Sequence, residues 1–177
     1  MKAKETPLKG AFVIKPERFG DRRGFFARAW SEKEFAELGV DGRFVEGNLS
    51  HNRRRGTLRG LHYQAARHGQ AKLVRCTRGA IFDVGVDLRP DSPTFRRWFG
   101  VELSAANRLM LYLPAEFAHG YLALEDDSEV YYLVTRPYAP KSARGVRWDD
   151  PAFRIKWPDV GSLTINRRDR TYPDFQP

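Results

Sequence analysis

Ala80-Ile81-Phe82-Asp83-Val84-Gly85-Val86-Asp87-Leu88 decides the fold class. Phe82, Val84, Val86 and Leu88 alternate with Ile81, Asp83, Gly85 and Asp87. That is period two, the signature of a strand with one clean apolar face. Similar segments flank it on both sides. Before it come residues 11–15, ended by Pro16, the aromatic-rich 24–30, then 44–50, 57–63 and 71–77. After it come 95–103, 109–113, 121–124 and 129–135. Many short strands separated by turn residues predict an all-β chain, an antiparallel sandwich or barrel. One helix is signalled. Ser31-Glu32-Lys33-Glu34 reads as a capping box, in which the serine accepts from the Glu34 backbone and Glu34 reaches back. Phe35 and Leu38 then share a face, and Gly39 ends the helix. Neither a repeat nor a linker interrupts residues 1–177, so the chain reads as one domain. The stretch after Pro158 is loop-like, but Ile165, Tyr172 and Phe175 predict that it docks.

The 177 residues carry 31 Lys and Arg against 22 Asp and Glu, a net charge of +9. Hydrophobic residues make up 41%, too many for a disordered chain. No apolar run approaches the roughly 18 residues of a membrane span. Near the start the only apolar run is Ala11-Phe12-Val13-Ile14, so no signal peptide is read, and the chain is expected to be soluble and cytoplasmic. Cys76 is the single cysteine, which excludes an internal disulfide and a cysteine zinc cluster. The positive balance favours an anionic partner. Arg53-Arg54-Arg55 belongs to no long basic helix, and no nucleic-acid-binding motif is found. A small phosphorylated substrate fits better than nucleic acid or a membrane surface.

Four segments carry residues suited to chemistry. Arg59-Gly60-Leu61-His62-Tyr63-Gln64 lies on a strand, and Lys72-Leu73-Val74-Arg75 on the next. Pro114-Ala115-Glu116-Phe117-Ala118-His119-Gly120 is read as a connection between strands, and Glu129-Val130-Tyr131-Tyr132 opens a later one. Singly, each has an ordinary explanation: a packed histidine, a solvated lysine, a turn histidine, an amphipathic tyrosine. His51 and His68 are read as loop residues, and no His-x-His pair is present, so no metal and no other cofactor is expected.

Taken together, these segments resemble the dTDP-4-dehydrorhamnose 3,5-epimerases, dimeric jelly-roll enzymes of the cupin type. The motifs are Asp21-Arg22-Arg23-Gly24-Phe25-Phe26, Gly56-Thr57-Leu58-Arg59-Gly60-Leu61-His62-Tyr63-Gln64, Lys72-Leu73-Val74-Arg75, Phe82-Asp83-Val84 with Asp87-Leu88-Arg89, Phe117-Ala118-His119-Gly120 and Trp148-Asp149-Asp150-Pro151. The resemblance covers about residues 8–172. It implies a nucleotide-diphosphate 4-keto sugar as substrate. The keto group acidifies its neighbouring carbons, C3 and C5. Proton removal gives an enolate, and proton return on the other face inverts the centre.

By resemblance, His62 is the base and Asp169 its partner, Lys72 stabilises the enolate oxygen, and Tyr132 is the acid. Histidine's ordinary pKa, about 6.5, suits a base at neutral pH. His119, Arg59, Arg23 and Arg168 match substrate-binding positions, and Tyr138 matches an aromatic that stacks on the nucleobase. The family pairs as a homodimer that exchanges N-terminal strands. Three positions depart from its pattern: Arg28 stands for a glutamate, Glu46 for a glutamine near Asn48, and Ala143 for a glutamate. These positions bear on nucleotide recognition. The departures are drift, with a compensating Arg28–Glu46 pair, or they mark another nucleotide or a related sugar. Two further readings stay open: epimerisation at C3 or C5 only, and a sugar-nucleotide-binding cupin without catalysis.

Overall fold

The computed structural model describes residues 1–176. In chain order it forms β1 (Lys2–Glu5), β2 (Phe12–Lys15), β3 (Arg18–Asp21), β4 (Gly24–Ala27), α1 (Glu32–Glu37), β5 (Glu46–Asn52), β6 (Thr57–Gln64), β7 (Lys72–Arg78), β8 (Ala80–Asp87) and β9 (Trp98–Ser104). There follow β10 (Met110–Leu113), β11 (Phe117–Ala123), β12 (Ser128–Val134), β13 (Ala143–Gly145), β14 (Thr164–Ile165) and α2 (Arg167–Arg170). One sheet has the order β1-β2-β10-β7-β12-β5, and the facing sheet β13-β6-β11-β8-β9. The pairings are antiparallel except that β14 runs parallel to β6. β3 and β4 form a separate hairpin. This is the antiparallel sandwich expected from the strand spacing, and its all-β architecture agrees with the jelly-roll, cupin-type fold that the resemblance implies.

The alternation in β8 works in an unexpected direction. Its apolar face, Val84, Val86 and the following Leu88, looks away from the facing sheet. It is covered by Val146, Phe153, Ile155, Trp157 and Phe175 of the C-terminal stretch. Asp83 and Asp87 lie on the other face yet are also fully buried. Ile81, on their side, joins Val74, Cys76, Leu103, Leu111, Phe117 and Val130 in the core between the sheets. The C-terminal stretch therefore docks as read, through Phe175, whose amide donates to Asp150 at 2.7 Å.

The outer face of the first sheet is closed by α1. Phe35 packs there with Ile14, Leu73, Met110 and Tyr112 and is fully buried, a contribution of about 1.5–3 kcal/mol. Ser31 caps α1 by accepting from Glu34 N at 3.5 Å. Glu34 does not reach back as a capping box would. Its carboxylate takes the Met1 amino group at 2.5 Å and Arg28 at 3.2 Å, two cations that outcompete one neutral amide. Gly39 follows α1 with φ +71°, a left-handed stop.

Several boundaries differ from the sequence reading. The 24–30 segment ends as a strand at Ala27, and 95–103 begins only at Trp98. The 117–120 motif is not a connection but the first half of β11, and His51 lies in β5. Among the described residues no helix is long and apolar enough to cross a membrane.

Candidate active site

A cavity of about 350 Å³ is lined by strands of both sheets and by α2. His62, Lys72, His119 and Tyr132 all line it. So do Arg59, Tyr138, Arg168 and Asp169. Four strands and one short helix supply seven of these side chains and the loop after β12 supplies Tyr138, so the constellation exists only in the folded chain.

Strand register explains the convergence. In the β7–β12 pair, Val134 faces Lys72 and Tyr132 faces Val74. Lys72 and Tyr132 are thus one diagonal apart on the inward face. In the β6–β11 pair, His62 stands opposite His119. Arg59 would lie on the opposite face from His62 in a regular strand, since three residues separate alternate sides. It lines the same cavity because the register slips there: His119 pairs with His62, but Tyr121 pairs with Arg59. Two steps on β11 match three on β6, which is a β-bulge. Gly60 sits in it with φ +117°. Without the bulge, simple alternation would set Gly60, His62 and Gln64 on one uninterrupted face.

His62 Nε2 lies 2.7 Å from Asp169 Oδ1. Asp169 Oδ2 accepts from Gly60 N at 2.9 Å, and Asn166 Oδ1 caps α2 by accepting from Asp169 N at 2.7 Å. Burial raises the Asp169 carboxyl, but the His62 and Gly60 hydrogen bonds and the Arg168 charge outweigh it and hold it below the ordinary value. It is ionised, so His62 donates through Nε2 and Nδ1 is left as the basic nitrogen. Lys72 is 8% exposed, and Nζ donates to His62 O at 3.0 Å. Burial brings its pKa down to about 8, opposed by Asp83. Tyr132 is pushed up by burial.

The cationic side is built by Arg59 and Arg168. Arg59 Nε donates to Asn52 Oδ1 at 2.9 Å and Nη2 to His51 O at 3.1 Å. The Arg168 guanidinium lies over the Tyr172 ring, 5.8 Å from its centre. Tyr138 stands at the mouth, 59% exposed. Ala143, in the place of a family glutamate, is part of the wall.

Four expected binding residues lie outside this lining. Arg23 is in the β3–β4 turn, paired with Asp21 at 2.6 Å. Arg28 follows β4 and pairs with Glu34, so the suggested Arg28–Glu46 pair is not formed within the chain. Glu46 and Asn48 are on β5, on the same alternate positions as the cavity-lining Ser50, and Asn48 is opposite Tyr132. Sequence reasoning passed over Asp83, whose Oδ1 is 2.8 Å from His119 Nε2, and Tyr121, whose hydroxyl meets Ser50 Oγ at 2.8 Å. An aspartate repeated every fourth residue in an apolar strand was the available signal for Asp83.

The family model described as dTDP-4-dehydrorhamnose 3,5-epimerase matches residues 5–177. A dTDP-4-dehydrorhamnose 3,5-epimerase of Sinorhizobium fredii is 45% identical over 163 residues, covering 92% of this chain and 84% of the relative. The crystal structure of the Elizabethkingia anophelis enzyme of that name superposes with a TM-score of 0.96 at 41% identity, covering 99% of this chain and 96% of the other. The Bacillus anthracis one, with TDP and PPi bound, gives 0.93 at 42% identity over 98% and 99%.

Proposed function

The chain belongs to the dTDP-4-dehydrorhamnose 3,5-epimerase family of isomerases, and from that premise we propose that it inverts C3 and C5 of a dTDP-4-keto-6-deoxyhexose in this cavity. The observation that carries the reading is the His62–Asp169 pair opening on the same cavity as Lys72 and Tyr132. His62 Nδ1 removes the proton next to the keto group, and Asp169 stabilises the imidazolium. Lys72 stabilises the enolate oxygen, a role worth about 3 kcal/mol in comparable oxyanion sites. Tyr132, a neutral phenol, returns a proton from the other side. Arg59 and Arg168 suit the diphosphate, and Tyr138 at the mouth suits stacking on the base. A pure binder has no use for an acid–base pair, which disfavours that alternative.

The assembly belongs to the same reading. Phe19, Phe25 and Phe26 of the hairpin are 62%, 43% and 69% exposed. An exposed aromatic hairpin of this kind seeks a partner. A homodimer that exchanges its N-terminal strands would bring Arg23 and Arg28 to a partner's cavity. Each chain would then be one domain, working in the cytoplasm.

Proton NMR in D₂O over a panel of nucleotide 4-keto-6-deoxyhexoses tests the function. Deuterium is expected at both C3 and C5 of the dTDP substrate. Exchange at one carbon only would replace the double epimerisation by a single one. A better UDP, CDP or GDP substrate would assign Arg28, Glu46 and Ala143 to a changed base specificity. Light scattering of the same sample is expected to give twice the 20.4 kDa chain mass, and a monomer would remove the exchange.

A further inference from the structure

Two histidines face each other across β6 and β11, and each directs Nε2 at a fully buried carboxylate. The epimerase reading uses His62 and Asp169. It gives no task to Asp83, which lies on β8 behind His119 and lines no part of the cavity. Asp83 Oδ2 has no hydrogen-bond partner among the described residues. A buried carboxylate with one oxygen unsatisfied is costly, and an apolar residue would be cheaper in a core strand. Its retention calls for a function in the field it creates.

The groups that feel this field are identifiable. Lys72 and Cys76 come from β7, and His119 and Tyr121 from β11. Asp83 acts on Lys72 against the pull of burial. His119 also feels the cations Lys72 and His62, while Arg59 from β6 acts on Tyr121 and Tyr132. Burial holds His119 below its ordinary pKa, so the ring is neutral at pH 7. A neutral ring that donates through Nε2 carries its lone pair on Nδ1.

We propose that Asp83 is a positioning residue of the epimerase site: its carboxylate keeps the Lys72 ammonium charged beside the enolate oxygen and fixes His119 as the tautomer whose Nδ1 accepts from a sugar hydroxyl. The inference rests on the epimerase reading. It adds a carboxylate that never meets the substrate and acts through two groups that do.

Asp83→Asn separates charge from shape, because the amide oxygen still accepts from His119. Without the negative charge, Lys72 loses its proton at lower pH. The alkaline limb of kcat is expected to move down by about one unit, a usual size for loss of one nearby opposite charge. At pH 8 kcat then falls about fivefold, while KM changes little and activity recovers toward pH 7. A profile that superposes on wild type overturns the proposal. So does an equal loss at every pH, which a packing role alone would give. If the variant does not fold, ¹⁵N NMR of histidine-labelled wild type carries the test: His119 is expected with its proton on Nε2 at pH 7, and the opposite tautomer overturns the assignment. Inactive wild type would instead sink the epimerase reading and leave the tautomer result standing.

Discussion

The phenol of Tyr132 is raised by burial and by nearby Tyr121, with Arg59 pulling the other way, so it is an O–H donor throughout the neutral range. In the proposed reaction His62 removes the proton. Single substitutions should therefore fail in different ways. His62→Ala is expected to abolish deuterium exchange at both carbons, since no enolate forms. Tyr132→Phe should keep exchange from the base side and lose inversion by about 10²–10⁴-fold. Equal loss of both signals in Tyr132→Phe would leave Tyr132 without its acid role. At this scale the sequence was informative where a residue type repeats a known motif, as for His62, Lys72, His119 and Tyr132. Asp83 was not legible as a partner of His119. Alternation tells which residues share a face, but not that both faces of β8 would be covered.

β6 shows how an element can place residues that its own periodicity would separate. The bulge at Gly60 lets Arg59 and His62 line one cavity. A Cβ added to Gly60 would come 2.6 Å from Gly120 Cα and 2.7 Å from His119 O, and its φ of +117° is open to glycine but strained for alanine. Gly60→Ala is expected to cost about 1–3 kcal/mol in urea unfolding and to lower activity beyond that, as Asp169 loses its seat on Gly60 N. An unchanged midpoint with full activity would mean that the bulge does not set this geometry. The strands β6, β7, β8 and β12 were legible because their alternation is long enough to count. β11 was half-legible: Pro114 and Gly120 look like turn residues, although Gly120 serves the close approach of β6. β13, β14 and α2 have three, two and four residues, too few for any period to emerge.

For the whole molecule, the sandwich and the Asp169 carboxylate are held by unequal forces. The sheets share a continuous core, whereas Asp169 arrives on α2 behind the two-residue β14. Between Ile155 and Ser162 the chain enters neither helix nor strand. Segments with so little backbone pairing open locally at a smaller free energy than global unfolding. Such an opening leaves His62 without its partner but leaves the β-structure intact. Inactivation is therefore expected at a lower urea concentration than the loss of the far-ultraviolet β signal, and it should reverse promptly on dilution. Coincident curves would show the segment to be part of the sandwich's own cooperative unit. If they separate, the enzyme carries a mechanical fuse: mild stress disconnects the proton-handling pair and halts turnover while the scaffold survives to be switched on again.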